Sequence, residues 1–217
     1  MPELESARPQ RRLSAVFAAD IVGYGRLVGA DEEGTVRRWQ AHQADVVGPR
    51  IAEYGGHVVK TLGDGLLVEF TSAVDAVRSA VAIQCALTDA EAAVAADHRM
   101  QLRIGINLGD IIVDGADIQG DGVNIAARLQ AEAAPGGIVV ARGVRDAVAG
   151  KADVAFTDRG EVRLKNIARP VRVFALETAG PSVSGRRAKH ERVVPLRRRW
   201  VAGARSPYCW GSERGSW

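Results

Sequence analysis

Leu13-Ser14-Ala15-Val16-Phe17-Ala18-Ala19 is a short, almost wholly apolar stretch that ends on Asp20 and turns through Ile21-Val22-Gly23-Tyr24-Gly25. Its length and composition predict a buried strand. An acid at the end of such a strand, before a glycine turn and a helix, suits metal–phosphate chemistry. Backbone N–H groups after the strand can face phosphate oxygens while the carboxylate holds Mg²⁺. Taken alone, an ordinary turn or helix-cap aspartate is the better explanation of the position.

Working outward, a helix is predicted from about Asp31 to Tyr54, with acids in its first turn and Gly55-Gly56 stopping it. Pro49 should kink or shorten it. His57 to Thr61 and Leu66 to Phe70 flank Leu62-Gly63-Asp64-Gly65, a hairpin signal. Thr71 or Ser72 can cap the next helix, whose apolar face carries Ala73, Val74, Ala76, Val77, Ala80, Val81 and Ile83. Leu102 to Val113 reads as one strand or two, with Gly105 and Gly109 as bends or close approaches. Asp117 to Arg128 is a loop running into a helix that Pro135-Gly136-Gly137 ends. Ile138 to Ala141 is a strand and Arg142 to Ala149 a short helix. Val154 to Thr157, Glu161 to Leu164 and Val171 to Glu177 are closing strands. The fold class is therefore α+β: a ferredoxin-like βαββαβ core extended by αβαββ, with helices covering one face of the sheet.

A chain of 217 residues, 47% hydrophobic and 25% charged, has the composition of a soluble domain with one core and a tail. No apolar run reaches the roughly 18 to 20 residues that span a bilayer, so no membrane span is expected. Met1 to Arg12 is polar, without a signal-peptide core. Cys85 and Cys209 are too far apart in sequence to suggest a metal-ligand pair, which fits a reducing cytoplasmic setting. The pI of about 9.1 points towards nucleic acid only until the charges are located. Residues 181–217 carry nine Lys/Arg against two Glu, a net +7, which leaves −4 for residues 1–180 of the total +3. The body is mildly acidic and no nucleic-acid partner is expected. Residues 1–11 read as a flexible N-terminus, 12–177 as the folded domain and 178–217 as a basic, disordered tail.

A second acid, Asp64, stands at the tip of Gly63-Asp64-Gly65, on a hairpin that would lie beside the first strand. Two carboxylates on neighbouring strand ends can bind two divalent ions, which activate a hydroxyl and neutralise charge on a triphosphate. The four histidines show no ligand spacing, Cys85 falls on an apolar helix face, and no Walker-type loop or Ser/His/Asp grouping is present.

Phe17-Ala18-Ala19-Asp20-Ile21-Val22-Gly23 resembles the F-x-D-(I/L)-x-G motif of class III adenylate and guanylate cyclases. Val59-Lys60-Thr61-Leu62-Gly63-Asp64-Gly65 resembles their K-x-x-G-D segment. Asp117 to Arg128, DIQGDGVNIAAR, resembles their D-x-x-G-x-x-V-N-x-A-x-R segment. The three occur in order and cover roughly residues 12–177.

This resemblance implies a catalytic domain that turns ATP into cyclic AMP and pyrophosphate. Asp20, Asp64 and the carbonyl of Ile21 match the ligands of two divalent ions, Mg²⁺ or Mn²⁺. Lys60 and Asp117 match the pair that selects the base, and the chemistry agrees. Adenine offers an acceptor at N1 and a donor at N6, which an ammonium and a carboxylate complement. Asn124 and Arg128, four apart on one helix face, match the residues that orient the ribose and stabilise the transition state. Lys165 stands where a basic hairpin residue contacts the terminal phosphates, with Arg169 behind it, although the usual glycine-rich hairpin is missing. Asn107 replaces a histidine common in relatives and receives no catalytic role. No residue is an obvious general base.

Lys60 and Asp64 are only four residues apart, yet the family uses them in different active sites of a head-to-tail dimer. A homodimer with two composite sites is thus implied. Two other readings compete. A degenerate domain kept for dimerisation or sensing would have lost a metal aspartate or the arginine, and this chain keeps them. An RNA-binding sheet would need exposed aromatics, whereas Phe17, Phe70, Phe156 and Phe174 lie in apolar settings without an RNP-type motif.

Overall fold

Gln10–Ile21 forms a strand, β1, inside a mixed sheet. The computed structural model describes residues 10–177. The helices are α1 (Tyr24–Ala30), α2 (Glu32–His42), α3 (Gly48–Glu53), α4 (Ala73–Ala90), α5 (Asp121–Glu132) and α6 (Arg142–Val148). The other strands are β2 (His57–Leu62), β3 (Gly65–Phe70), β4 (Leu102–Asp114), β5 (Asp117–Gln119), β6 (Ile138–Ala141), β7 (Phe156–Val162) and β8 (Val171–Leu176). The sheet order is β2-β3-β1-β4-β6-β8-β7, and β5 pairs with β4. Only β4 and β6 run parallel among the pairs. The α+β class and the βαββαβ-plus-αβαββ order match expectation, with β5 as a short addition.

β1 is buried on both sides, which is why its sequence is continuously apolar rather than alternating. Ala15, Phe17, Ala19 and Ile21 join the main core with Leu27, Trp39, Ile51, Val77 and Val144 from the helices. Val16 and Ala18 point the other way, into a smaller cluster with Leu67, Ile111, Ile118 and Ala126 of α5. Helices on one face therefore describes α1 to α4 and α6, but α5 lies on the opposite face. A continuously apolar strand carries no sign of which helix will cover which side. Gly105 permits the α5 contact: a Cβ there would lie 2.2 Å from the Gln130 amide nitrogen and 2.4 Å from the Ala126 carbonyl.

Three other expectations are revised. The helix from Asp31 to Tyr54 is interrupted by a π-helical turn, Gln43–Val47, where the Gly48 N–H donates to the carbonyl of Gln43. Pro49 follows at once; it lacks an N–H and its ring excludes the carbonyl four residues back, so the helix widens before it. Val154 to Thr157 and Glu161 to Leu164 are not two strands. β7 runs through Asp158 and Gly160 with a register shift, at which Gly160 adopts φ 78°. Gln10 and Arg11, expected in a flexible terminus, open β1 opposite Val113 and Ile112. The tail 178–217 and residues 1–9 lie outside the described residues.

The cap of α4 is Ser72, whose hydroxyl accepts the Asp75 N–H. Its buried face carries Ala73, Ala76, Val77, Ala80 and Ile83, while Val74 and Val81 pack at its margin. Among the described residues no helix is long and apolar enough to cross a membrane.

Candidate active site

Asp20 has the same strand parity as Val16 and Ala18, so it faces the α5 side of the sheet, half-buried. Directly opposite in register is Arg103 of β4. Its guanidinium forks onto the carboxylate, with Nε donating to Oδ1 at 3.0 Å and Nη2 to Oδ2 at 2.6 Å. These bonds raise the Arg103 pKa further above its ordinary value.

Asp64 sits at the tip of the β2–β3 hairpin, where Leu62 pairs with Gly65 and leaves a two-residue loop. Gly63 supplies φ 60° and Asp64 keeps a negative φ, so the loop has glycine at its first central position, as in a type II′ rather than a type I′ turn. Trp39 of α2 fixes this tip: its indole Nε1 donates to the carbonyl of Gly63 at 3.1 Å. Burial pushes the Asp64 carboxyl up from its ordinary value. Its backbone hydrogen bond opposes the rise, the Asp20 charge adds to it and Arg103 counteracts it. The two acids and Arg103 thus form one electrostatic group.

Lys60 and Asp117 form a second group. Lys60 Nζ lies 2.6 Å from Asp117 Oδ1 and 2.8 Å from Oδ2. A bulge between Val58 and Lys60 lets Val59 pack into the α5-side cluster while Lys60 stands opposite Leu67 on that same face. Asp117 also accepts the Ile118 N–H at 2.8 Å. The Lys60 bond, followed by this backbone bond, lowers its carboxyl below the usual range.

Asn124 and Arg128 project from the exposed side of α5, because Gly122, Ala126 and Leu129 face the sheet. Among the described residues neither side chain has a hydrogen-bond or ion-pair partner. Lys165 and Arg169 lie exposed in the β7–β8 loop, where Asn166 takes φ 64°. Since β8 is three strands from β1, the fold does not gather Lys165 with Asp20. Asn107 is buried and donates from Nδ2 to the Gly122 carbonyl at 3.1 Å, tying β4 to the start of α5.

Arg103 and Trp39 escaped the sequence reading. An arginine two residues before Gly105 in an apolar strand was the available sign, but its partner becomes visible only through register. A cleft of about 500 Å³ is lined by Asn107, Gly109, Asp110, Gly120, Asp121 and Ile125, among others, and by none of Asp20, Lys60, Asp64, Asp117, Asn124 and Arg128.

The donor chemistry of Asp20 and Asp64 fits a hard divalent cation. Among the described residues no group of three or more His, Cys, Asp or Glu converges on one point. Two carboxylates without soft ligands match Mg²⁺ or Mn²⁺, which complete their shells with phosphate and water.

A Rhizobium meliloti protein provisionally named adenylate cyclase 3 is 46% identical over 165 residues, covering 76% of this chain and 28% of that protein. A Streptomyces coelicolor adenylate cyclase is 36% identical over 135 residues, covering 60% and 32% respectively. The chain thus spans about a third or less of the length of these curated relatives. A crystal structure of an adenylate/guanylate cyclase/hydrolase from Silicibacter pomeroyi superposes with a TM-score of 0.71 at 42% identity. It covers 77% of this chain and 97% of its own. Residues 7–178 match the adenylate and guanylate cyclase catalytic domain, and this chain belongs to that family.

Proposed function

We propose that residues 12–177 form an adenylate cyclase unit that converts ATP to 3′,5′-cyclic AMP and pyrophosphate in a homodimer with two composite sites. The observation that carries this reading is the separation of two intact groups on one sheet face. Lys60 is engaged with Asp117, whereas Asp64, four residues later, is coupled to Asp20 and Arg103. A second copy facing this side can set one chain's acids against the other's base-selecting pair.

In this arrangement the Lys60 ammonium donates to adenine N1 and the Asp117 carboxylate accepts from the N6 amino group. The two side chains are already held together by their mutual ion pair, which adenine replaces. Asp20, Asp64 and the Ile21 carbonyl of the other chain would hold two divalent ions, which would supply charge to acidify the ribose 3′-hydroxyl and to neutralise the triphosphate. Asn124 orients the ribose, and Arg128 forks onto the oxygens that gain charge as the α-phosphorus is attacked in line. Lys165 meets the terminal phosphates. The absence of a partner for Asn124 and Arg128 among the described residues agrees with side chains that await substrate.

Complementation tests the reading. Asp64→Ala and Arg128→Ala homodimers should each be inactive. Mixed and allowed to exchange subunits, they form heterodimers with one intact site, and activity should return. No recovery despite demonstrated exchange would refute the shared-site reading.

A further inference from the structure

Arg103 meets Asp20 across the β1–β4 ladder and binds both carboxylate oxygens at 3.0 and 2.6 Å. The two side chains are 29% and 23% exposed, so the pair is largely shielded from the water that weakens surface ion pairs. Register and fork together define its geometry: the strands fix the two Cα positions, and the guanidinium plane aligns with the carboxylate. Asp64 stands close enough that Asp20 and Arg103 both act on its carboxyl, with opposite sign. A cation is therefore already stationed at the acidic pair.

We infer that Arg103 is the resident counter-ion of this pair and competes with the divalent metal for Asp20, so that metal enters only as the guanidinium withdraws. The inference rests on the reading of Asp20 and Asp64 as metal ligands. A small divalent ion needs a carboxylate lone pair at about 2.0–2.1 Å. The Arg103 N–H groups occupy a lone pair on each Asp20 oxygen, so a metal at either oxygen meets a cation already in contact with it. Two cations cannot meet there at contact distance without strong repulsion. Arg103 also relieves the Asp20–Asp64 repulsion that a metal would otherwise relieve, so each makes the other less necessary. Metal affinity thus becomes conditional on what else engages Arg103.

The sign of one substitution separates competition from support. If Arg103 merely orients Asp20, its loss weakens metal binding; if it competes, its loss strengthens binding. The experiment is a Mn²⁺ titration of the nucleotide-free full chain, with free Mn²⁺ followed by electron paramagnetic resonance, for wild type, Arg103→Gln, Arg103→Lys and Asp20→Asn. Arg103→Gln should lower the Mn²⁺ Kd at least about fivefold. Arg103→Lys keeps the charge without the fork and should shift it less, in the same direction. A Kd for Arg103→Gln equal to or above wild type overturns the inference, as does no measurable binding for both across the same Mn²⁺ range. Should near-ultraviolet circular dichroism show Arg103→Gln misfolded, the direction of the Arg103→Lys shift decides instead. Asp20→Asn separates the two levels. Wild-type Mn²⁺ binding that survives it removes Asp20 from the metal site and the inference with it. Binding that Asp20→Asn abolishes but Arg103→Gln does not tighten removes the competition alone.

Discussion

The indole Nε1–H of Trp39 donates to the carbonyl of Gly63, one residue before Asp64, so the hairpin tip is fastened to α2. The buried face of that helix carries three polar groups at helical spacing, Thr35, Trp39 and His42. Thr35 reaches the Leu27 carbonyl, and His42 Nε2 lies 2.6 Å from Glu91 Oε1. Glu91 in turn accepts the Met100 N–H ahead of β4. One helix face thus braces the hairpin tip that carries Asp64 and the segment that enters β4, the strand beside Asp20. Trp39→Phe keeps an aromatic ring but removes the donor. It should cost about 2 kcal/mol, half from the hydrogen bond and half from lost packing. Amide hydrogen exchange at residues 62–66 should quicken more than in α4. Equal acceleration in both regions would mean that Trp39 serves the core alone.

Asp64 and Asp117 respond to pH with opposite signs. The Asp64 carboxyl is raised in the folded state, so the folded chain holds that proton more tightly. Its contribution to stability is greatest at low pH and falls as pH rises from about 4 through the raised value. Asp117 is lowered by Lys60; its contribution is present above about 4 and is lost as pH falls through the depressed value. In chelator, Asp64→Asn should therefore exceed wild type in stability at pH 7, and the two should converge near pH 3. Asp117→Asn should lie at or below wild type at pH 7. Urea denaturation at several pH values checks both, and an Asp64→Asn protein less stable than wild type at pH 7 contradicts the sign.

Elements with a local signal were legible in the sequence: the apolar run before Asp20, the hairpin around Gly63-Asp64 and the Ser72 cap. Features set by distant pairing were not. Arg103 meets Asp20 only because β1 and β4 align from Gln10–Val113 to Ile21–Leu102, a register no local pattern encodes. The placement of α5 was hidden for a similar reason: Val16 and Phe17 are equally apolar, although one faces α5 and the other the main core. The β7 bulge resembles a break in the sequence because Asp158-Arg159-Gly160 has the composition of a turn. In a strand, the same residues absorb one extra position, with Asp158 Oδ1 accepting the Gly160 N–H.

Lys60→Glu tests base selection. The substitution removes a donor to adenine N1 and sets a second acid beside Asp117. A site built around that hydrogen bond loses transition-state binding when the bond cannot form. The value of kcat/KM for ATP should fall roughly 100-fold or more. Affinity for Mn²⁺ should change far less, because Asp20 and Asp64 are untouched. Steady-state kinetics with ATP and GTP provide the measurement. Unchanged ATP kinetics would place Lys60 outside the base pocket.

Gly105 and Gly143 offer a matched pair of alanine substitutions with opposite outcomes. At Gly105 a methyl group would press on backbone atoms of Gln130 and Ala126, which cannot rotate away as a side chain end can. The relief available is movement of α5 off the sheet. Gly105→Ala should cost about 3 kcal/mol, or roughly 6–12 °C in Tm for a domain of this size. Activity should fall more steeply than stability, since Asn124 and Arg128 ride on α5. At Gly143, within α6, the nearest atoms to a new Cβ are 3.9 Å away. Gly143→Ala should be neutral or stabilising by up to about 1 kcal/mol through helix propensity. Equal Tm values for the two variants would show that α5 does not depend on close approach to β4.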